Sequence, residues 1–208
     1  MKKAVALLFI FALAFSLWAC ASNQNDSSEY GNHSNVLQSD ASKEMTSQED
    51  GNALVVYFSC TGNTELLAQE IAAQTGADLY EIVPEQPYTM EDIDYQNDDC
   101  RANREMKDSN VRPAISGKIE NLSEYEILYV GYPIWWGTMP RILNTFFDMY
   151  DFSGKTIRPF CTSGGSGIAE SISAIRDAEP GADIEDGLQI SSGAVDDCTN
   201  AVSVWLQE

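Results

Sequence analysis

The chain has 208 residues, of which 44% are apolar, and its formal net charge is −20. Twelve Lys and Arg against 32 Asp and Glu exclude a free-standing nucleic-acid binder, which needs clustered basic side chains. We therefore expect a partner that is basic, or one that is small and neutral, although the charge also fits a purely solubilising role.

The first 19 residues have the pattern of a bacterial lipoprotein signal peptide. Lys2 and Lys3 precede an apolar stretch, residues 4–18, which is shorter than the roughly 20 residues that span a bilayer. Ala19 and Cys20 then resemble a lipobox, in which cleavage before Cys20 leaves that residue lipidated. The alternatives are an ordinary secretory signal and an uncleaved membrane helix. We expect an extracytoplasmic protein that is anchored to a bacterial membrane by lipid alone.

The next segment, residues 20–52, is a predicted disordered tether that begins with the lipidated Cys20. It is dominated by Ser, Asn, Asp, Gln and Glu, and such a composition buries too little apolar surface to offset the entropy of ordering. His33, the only histidine, lies in this tether and is not expected to be functional. The remaining residues, 53–208, are enough for one domain with a sizeable core.

Apolar runs alternate with amphipathic patterns along this domain. The predicted strands are residues 53–58, 79–83, 126–132, 156–162 and 188–190, and the predicted helices are residues 64–75, 90–106, 140–150, 167–176 and 195–206. The alternation predicts an α/β fold: a three-layer, doubly wound, five-stranded parallel sheet with helices on both faces. Ligands of such sheets bind beyond the carboxyl ends of the strands.

The first loop, residues 59–64, reads S-C-T-G-N-T and joins a buried strand to a helix. Free N–H groups and the helix dipole make such a helix start an anion site. The loop lacks the Lys of a triphosphate-binding loop and the Arg that Cys-based phosphatases place six residues after the Cys. We expect it to hold a phosphate with neutral donors; an ordinary N-cap is the alternative. The candidate residues are Ser59, Cys60, Thr61, Gly62, Asn63 and Thr64.

The tryptophan loop, residues 133–137, places two tryptophans directly after a buried strand. Neighbouring residues of an extended chain point to opposite sides, so both indoles are not expected to face the core. At least one should form a flat apolar wall for an aromatic ligand. The alternative is one core tryptophan and one interface anchor. The candidate residues are Pro133, Ile134, Trp135, Trp136 and Gly137.

The glycine loop, residues 163–167, reads S-G-G-S-G and precedes another predicted helix. Its glycines leave backbone amides accessible, but it does not match G-x-G-x-x-G, so a dinucleotide site is not indicated. A flexible turn is the alternative. The candidate residues are Ser163, Gly164, Gly165 and Gly167.

Four cysteines lie in the domain: Cys60, Cys100, Cys161 and Cys198. They form no C-x-x-C motif and no Cys/His spacing suited to zinc, so no metal site is expected. Export permits disulfides, and four cysteines allow three full pairings, among which the sequence does not choose.

The motifs Y-F-S-C-T-G-N-T, Y-P-I-W-W-G-T-M-P and F-C-T-S-G-G-S-G, in this order, resemble the flavodoxin superfamily, most closely the bacterial flavodoxin-like flavoproteins. The resemblance covers residues 53–208 and implies strand order 2-1-3-4-5 and bound FMN. It implies that the first loop holds the phosphate, that Trp135 or Trp136 stacks on the isoalloxazine, and that the glycine loop approaches its other side. Residues 87–115, here called the overhanging segment, resemble the same proteins and are expected to overhang the flavin.

Two details bear on how FMN is held. Cys60 stands where a hydroxyl or a small residue is more usual, and an acidic setting does not favour a reactive thiolate there. Some exported flavoproteins carry FMN covalently on a Ser or Thr after a Ser/Thr-Gly-Ala motif. Residues 192–194 match that motif, but the acceptor position is Val195, so noncovalent FMN is expected.

Three functions remain open from the sequence. The leading hypothesis is an FMN-dependent electron carrier whose redox partner protein has a basic docking face. The alternatives are an FMN-dependent NAD(P)H:quinone-type reductase and a non-redox binding module on a flavodoxin scaffold.

Overall fold

The structure is a computed structural model that describes residues 52–208. The predicted signal peptide, the lipidation site Cys20 and nearly all of the predicted tether lie outside these residues. No helix of the described part is long and apolar enough to cross a membrane.

The strands are β1 (Ala53–Tyr57), β2 (Asp78–Glu81), β3 (Val83–Pro84), β4 (Ile115–Ser116), β5 (Ile127–Pro133), β6 (Thr156–Ser163), β7 (Asp183–Ile184) and β8 (Leu188–Ser191). The helices are α1 (Asn63–Thr75), α2 (Arg101–Lys107), α3 (Arg141–Met149), α4 (Ala169–Ala178) and α5 (Thr199–Trp205), with 3-10 turns at Leu122–Glu124 and Val195–Asp197.

The main sheet is parallel and has the order β2-β1-β5-β6, followed by a fifth position beside β6. Two short strands share that position, because β7 pairs with the start of β6 and β8 pairs with its end. The three central strands β1, β5 and β6 are buried along most of their length, as strands of a parallel sheet that is covered on both faces should be. The predicted α/β fold and its strand order are confirmed.

Helices cover the two faces of the sheet with separate apolar clusters. On one face, α3 and α4 pack on the sheet through residues such as Phe146 and Ile175. On the other face, α1 and α5 pack through residues such as Ile71 and Trp205. The result is the predicted three-layer arrangement, in which the carboxyl ends of β1, β5 and β6 stay uncovered by these helices.

One predicted helix is mostly wrong. Of residues 90–106, only the last third is helical, in α2, whereas residues 89–100 form a chain of turns. Short polar side chains compete with the helix there: the N–H of Gln96 donates to Asp94 Oδ1 at 3.1 Å, and the N–H of Asp99 donates to Asn97 Oδ1 at 3.0 Å. The sequence also did not predict the small antiparallel pair of β3 and β4, or β7. The predicted C-terminal helix, residues 195–206, begins as a 3-10 turn before α5.

Candidate functional site

The carboxyl ends of β1, β5 and β6 bring the three candidate loops together. The hydroxyl oxygens of Thr64 and Thr162 are 2.8 Å apart, which connects the first loop to the end of β6. The N–H of Ile134 donates to the carbonyl of Thr162 at 2.9 Å, which connects the tryptophan loop to the same residue. The glycine loop begins at the next residue, Ser163. The three loops predicted independently therefore form one rim.

The first loop carries open backbone donors. No acceptor is found among residues 52–208 for six N–H groups at the start of α1: those of Ser59, Cys60, Thr61, Asn63, Thr64 and Glu65. Gly62 is the N-cap residue in a left-handed conformation, with φ of 87°, and no side chain caps the helix. Unpaired N–H groups at the positive end of a 13-residue helix form a cradle for an anion.

Some side chains of the first loop are hydrogen-bonded within the protein, and others have no partner there. Ser59 Oγ accepts from the N–H of Gly62 at 3.1 Å and so shapes the turn. Thr64 is buried, and its hydroxyl contacts Thr162. The Thr61 hydroxyl and the Asn63 amide have no hydrogen-bond partner in the described part of the chain, so both remain available to a ligand.

Cys60 turns away from this cradle toward the core and the overhanging segment. Burial raises the pKa of its thiol to about 12, Arg101 nearby opposes that rise, and Glu105 adds to it. The thiol is therefore neutral at physiological pH, and Cys60 can serve the loop only through its backbone N–H. Cys100, Cys161 and Cys198 are free thiols as well, so none of the three disulfide pairings is formed.

The two tryptophans have different environments. Trp135 is half-buried, with its ring edge-on to Phe58 at 5.8 Å and to Tyr88 at 5.3 Å between centroids. Trp136 is 49% exposed. Its φ of 51°, with φ of 82° at Gly137, makes a tight hairpin turn closed by the reciprocal backbone bonds of Trp135 and Thr138.

Trp136 is the only non-glycine residue with positive φ among residues 52–208. A bulky side chain in this backbone region costs about 1–2 kcal/mol. The turn thus holds a large apolar ring out of the core in a strained conformation. Such strain, where it is observed, points to a functional surface.

The glycine loop follows β6, the strand that pairs with β5 and so with the strand that precedes the tryptophan loop. Ser163 is buried, and its Oγ accepts from the N–H of Gly165 at 3.0 Å. Gly164, Gly165 and Gly167 are exposed, and a Cβ atom on Gly164 or Gly165 would meet nothing within 4 Å. Packing therefore does not require these glycines, and they leave the backbone of the rim accessible.

A fourth loop, residues 191–194, closes the same edge of the sheet, because the N–H of Ser192 donates to the carbonyl of Ser163 at 2.9 Å. The acceptor position of the covalent-flavin motif, Val195, is only 4% exposed. It carries no nucleophile and packs in the apolar cluster under α1 and α5.

The overhanging segment contributes a bonded cluster that the sequence did not single out. Tyr88 donates to Glu105 Oε2 at 2.6 Å, and Arg101 Nε donates to Glu105 Oε1 at 2.6 Å. The Arg101 guanidinium also lies 3.9 Å from the centroid of the Tyr88 ring. Burial, followed by the bond to Glu105, raises the pKa of Tyr88, which keeps the phenol neutral. The spacing of Arg101 and Glu105, four residues apart on a helix, was the available sequence signal.

An apolar pocket of about 350 Å³ lies between this segment and the tryptophan loop. Its lining residues are Ile93, Tyr95, Ala102, Ile134, Trp135 and Trp136. Tyr95 and Trp136 are also among the exposed large apolar residues of the described chain. The pocket places an aromatic, mostly apolar surface at one end of the rim.

Comparison with known proteins places the chain in a family. Residues 52–208 match the family model described as flavodoxin. A candidate flavoprotein from Bacteroides eggerthii is 40% identical over 74% of this chain and 98% of that one, with a TM-score of 0.66. One from Bacteroides uniformis is 38% identical over 77% and 100%, with a TM-score of 0.71.

A flavoprotein from Lactobacillus acidophilus, solved in complex with FMN, is 20% identical over 74% of this chain and 99% of that one, with a TM-score of 0.58. At that identity the likeness concerns the fold alone. No curated protein matches the chain. Because the family model spans well over half of the chain and two solved relatives exceed 30% identity over nearly their whole length, the chain belongs to the flavodoxin family.

Proposed function

We propose that the domain binds FMN noncovalently and uses it to carry electrons outside the cytoplasm. The observation that carries this proposal is the set of six acceptorless N–H groups in the first loop and at Glu65, on the same rim as the strained, exposed ring of Trp136. The first feature suits a phosphate and the second suits a flat aromatic ring. The Lactobacillus acidophilus flavoprotein, which shares the fold and was solved with FMN, supports the same ligand.

The residues present fit FMN without a basic side chain. Backbone N–H groups, the Thr61 hydroxyl and the Asn63 amide are donors, and a phosphate monoester offers only acceptors at neutral pH. Gly62, whose Cβ position is open, allows close approach of the backbone. In this proposal the exposed ring of Trp136 covers one side of the isoalloxazine, and the glycine loop approaches the other side.

FMN supplies the electron chemistry, since a bound flavin takes up and releases electrons reversibly, and the chain supplies binding, orientation and local charge. The first loop fixes the phosphate end. The tryptophan loop excludes water from the side of the ring that it covers. Carboxylates of residues 91–99 add negative charge near the tryptophan loop, on the same segment as the pocket residues Ile93 and Tyr95.

The redox partner is proposed to be a protein with a basic docking face. The net charge of −20 supports such a partner, because complementary charge steers association. The lipoprotein pattern of residues 1–20 supports a lipid anchor at Cys20 and a position on the outer side of a bacterial membrane.

A second candidate function is an FMN-dependent NAD(P)H:quinone-type reductase. The apolar pocket beside Trp136 favours it, since a pocket of about 350 Å³ can take a small planar acceptor. Against it, the export signal removes the protein from the cytoplasmic supply of nicotinamide cofactors.

Titration of the purified protein with FMN, followed by addition of NAD(P)H, tests these proposals. We expect quenching of flavin fluorescence at one equivalent and a flavin colour that dithionite or a partner reductase bleaches but NAD(P)H does not. Rapid bleaching by NAD(P)H with turnover on a quinone would select the reductase. A folded protein that takes up no FMN would overturn both and leave a non-redox binding module.

A further inference from the structure

A buried pair of hydroxyls lies beneath the first loop. Thr64 Oγ1 and Thr162 Oγ1 are 2.8 Å apart, and the two residues are 1% and 3% exposed. No other hydrogen bond of either hydroxyl is found within residues 52–208. One bond between two hydroxyls uses only one of their two protons, so one buried proton lacks an acceptor. Buried donors without acceptors are costly and rare, which indicates that a ligand supplies the missing acceptor.

The position of Thr64 shows where that acceptor would be. Thr64 is the second residue of α1, and its own backbone N–H also has no acceptor in the described part of the chain. If Thr64 donated to Thr162, the spare proton would belong to the Thr162 hydroxyl, near the end of β6. If Thr162 donates instead, the spare proton sits on Thr64, beside five other open N–H groups that suit an anion.

We propose that Thr162 is a positioning residue for the FMN phosphate: its hydroxyl donates to Thr64 Oγ1 and thereby directs the Thr64 proton toward a phosphate oxygen. The inference rests on the proposed function, because it takes FMN as the ligand. A bound dianion favours this direction of the hydroxyl pair, since a donor chain that ends on a charged acceptor is stronger than a neutral one.

Thr162 also supports the tryptophan loop, through its carbonyl and not through its hydroxyl. The N–H of Ile134 donates to that carbonyl at 2.9 Å, and a change confined to the side chain leaves this bond in place. The hydroxyl should therefore matter for the phosphate and not for the ring. Riboflavin has the same ring and no phosphate, which makes it the matched ligand.

The test is titration of the full-length protein and its variants with FMN and with riboflavin. We expect Thr162→Val to weaken FMN binding about fivefold to tenfold and to change riboflavin binding less than about twofold. Thr162→Ser, which keeps the hydroxyl, should retain FMN binding within about twofold. Thr162→Ala removes the same hydroxyl without adding a methyl group, and it replaces Thr162→Val in these titrations if Thr162→Val does not fold.

Thr145→Val is the matched control, because it makes the same substitution at a hydroxyl that donates to the Pro113 carbonyl at 2.8 Å, in α3. It should leave the ratio of the FMN and riboflavin affinities unchanged. Wild-type FMN affinity in Thr162→Val, or an equal loss of FMN and riboflavin, would overturn the inference while the proposed function stands. A wild-type protein that binds no FMN overturns both.

Discussion

The first loop and the overhanging segment meet at the same rim, yet they use their polar groups in opposite ways. In the first loop and at Glu65, six N–H groups have no acceptor among the described residues. In the overhanging segment, Tyr88, Arg101 and Glu105 bond to one another, and Arg101 also donates to the carbonyl of Gln86. Donors that are already paired cannot bind a ligand without breaking a bond. In the proposed function, the neutral loop binds the ligand and the charged segment forms a wall beside it.

Cys60 combines the two environments: its backbone belongs to the first loop, and its side chain faces the overhanging segment. Burial raises its thiol pKa to about 12, so the reactive thiolate is scarce at every pH below that value. We expect iodoacetamide to alkylate Cys60 at pH 8 at least about a hundredfold more slowly than a free cysteine. The rate should keep rising with pH beyond 9. Mass spectrometry of the modified peptide measures it, and a plateau near pH 9 would contradict the assigned environment.

The cluster of Tyr88, Arg101 and Glu105 should contribute to the stability of the fold and little to flavin binding. Glu105→Gln removes the charge that faces Arg101, whose side chain is 17% exposed, and should lower the free energy of unfolding by about 2 kcal/mol. Urea unfolding measures this change. Glu120→Gln is the control, because its ion pair with Lys118 is well exposed and is worth less than about 0.5 kcal/mol. Similar losses in the two variants would remove the distinction between a buried cluster and a surface pair.

The same contrast between open and packed groups separates the two tryptophans. Trp136→Gly relieves the strain of the positive φ, but it also loses the contacts of the buried half of the ring and makes the unfolded chain more flexible. These effects oppose one another, so the free energy of unfolding should stay within about 0.5 kcal/mol of the wild-type value. Flavin affinity should fall about tenfold, because the loss of one stacked ring is worth about 1.4 kcal/mol. Trp135→Ala is the comparison and should lower the free energy of unfolding by about 2 kcal/mol or more. Urea unfolding and FMN titration of both variants measure these effects. Equal destabilisation by the two substitutions would refute the assignment of Trp135 to the packed core and Trp136 to the exposed surface.

Gly62 tests how far the backbone alone shapes the first loop. A Cβ at this position meets nothing within 4 Å, so Gly62→Ala adds only the strain of φ at 87° and should cost about 1 kcal/mol of unfolding free energy. Gly62→Asn should cost less, since Asn tolerates this region better. Gly164→Ala, which has open space and no positive φ, is the control and should cost nothing measurable. A loss of the same size at both glycines would mean that strain is not the cause.

The sequence predicted most of the sheet and the rim because their signals are local. Strands β1 and β5 are nearly continuous apolar runs, and the open donors beside the first loop lie within residues 59–65, so each could be identified without knowing its partners. The predicted helix over residues 90–106 failed in its first two thirds because side chains such as Asp94 bond to nearby N–H groups in turns.

The parts that the sequence could not predict depend on contacts between distant residues. Tyr88 and Glu105 are 17 residues apart, and Thr64 and Thr162 are 98 apart. Neither pair has a local pattern that marks it. The strain at Trp136 likewise follows from the way the hairpin closes between Trp135 and Thr138, and not from its residue type.

FMN binding as proposed requires the first loop to hold a phosphate through its backbone. The direct measurement is a nitrogen-15 NMR titration that compares FMN with riboflavin. We expect FMN to move the amide protons of residues 59–61 and 63–65 downfield, and riboflavin to move them much less, because only FMN brings the phosphate acceptor. Binding of FMN that leaves these amide shifts unchanged and moves those of the overhanging segment instead would contradict a phosphate site in the first loop.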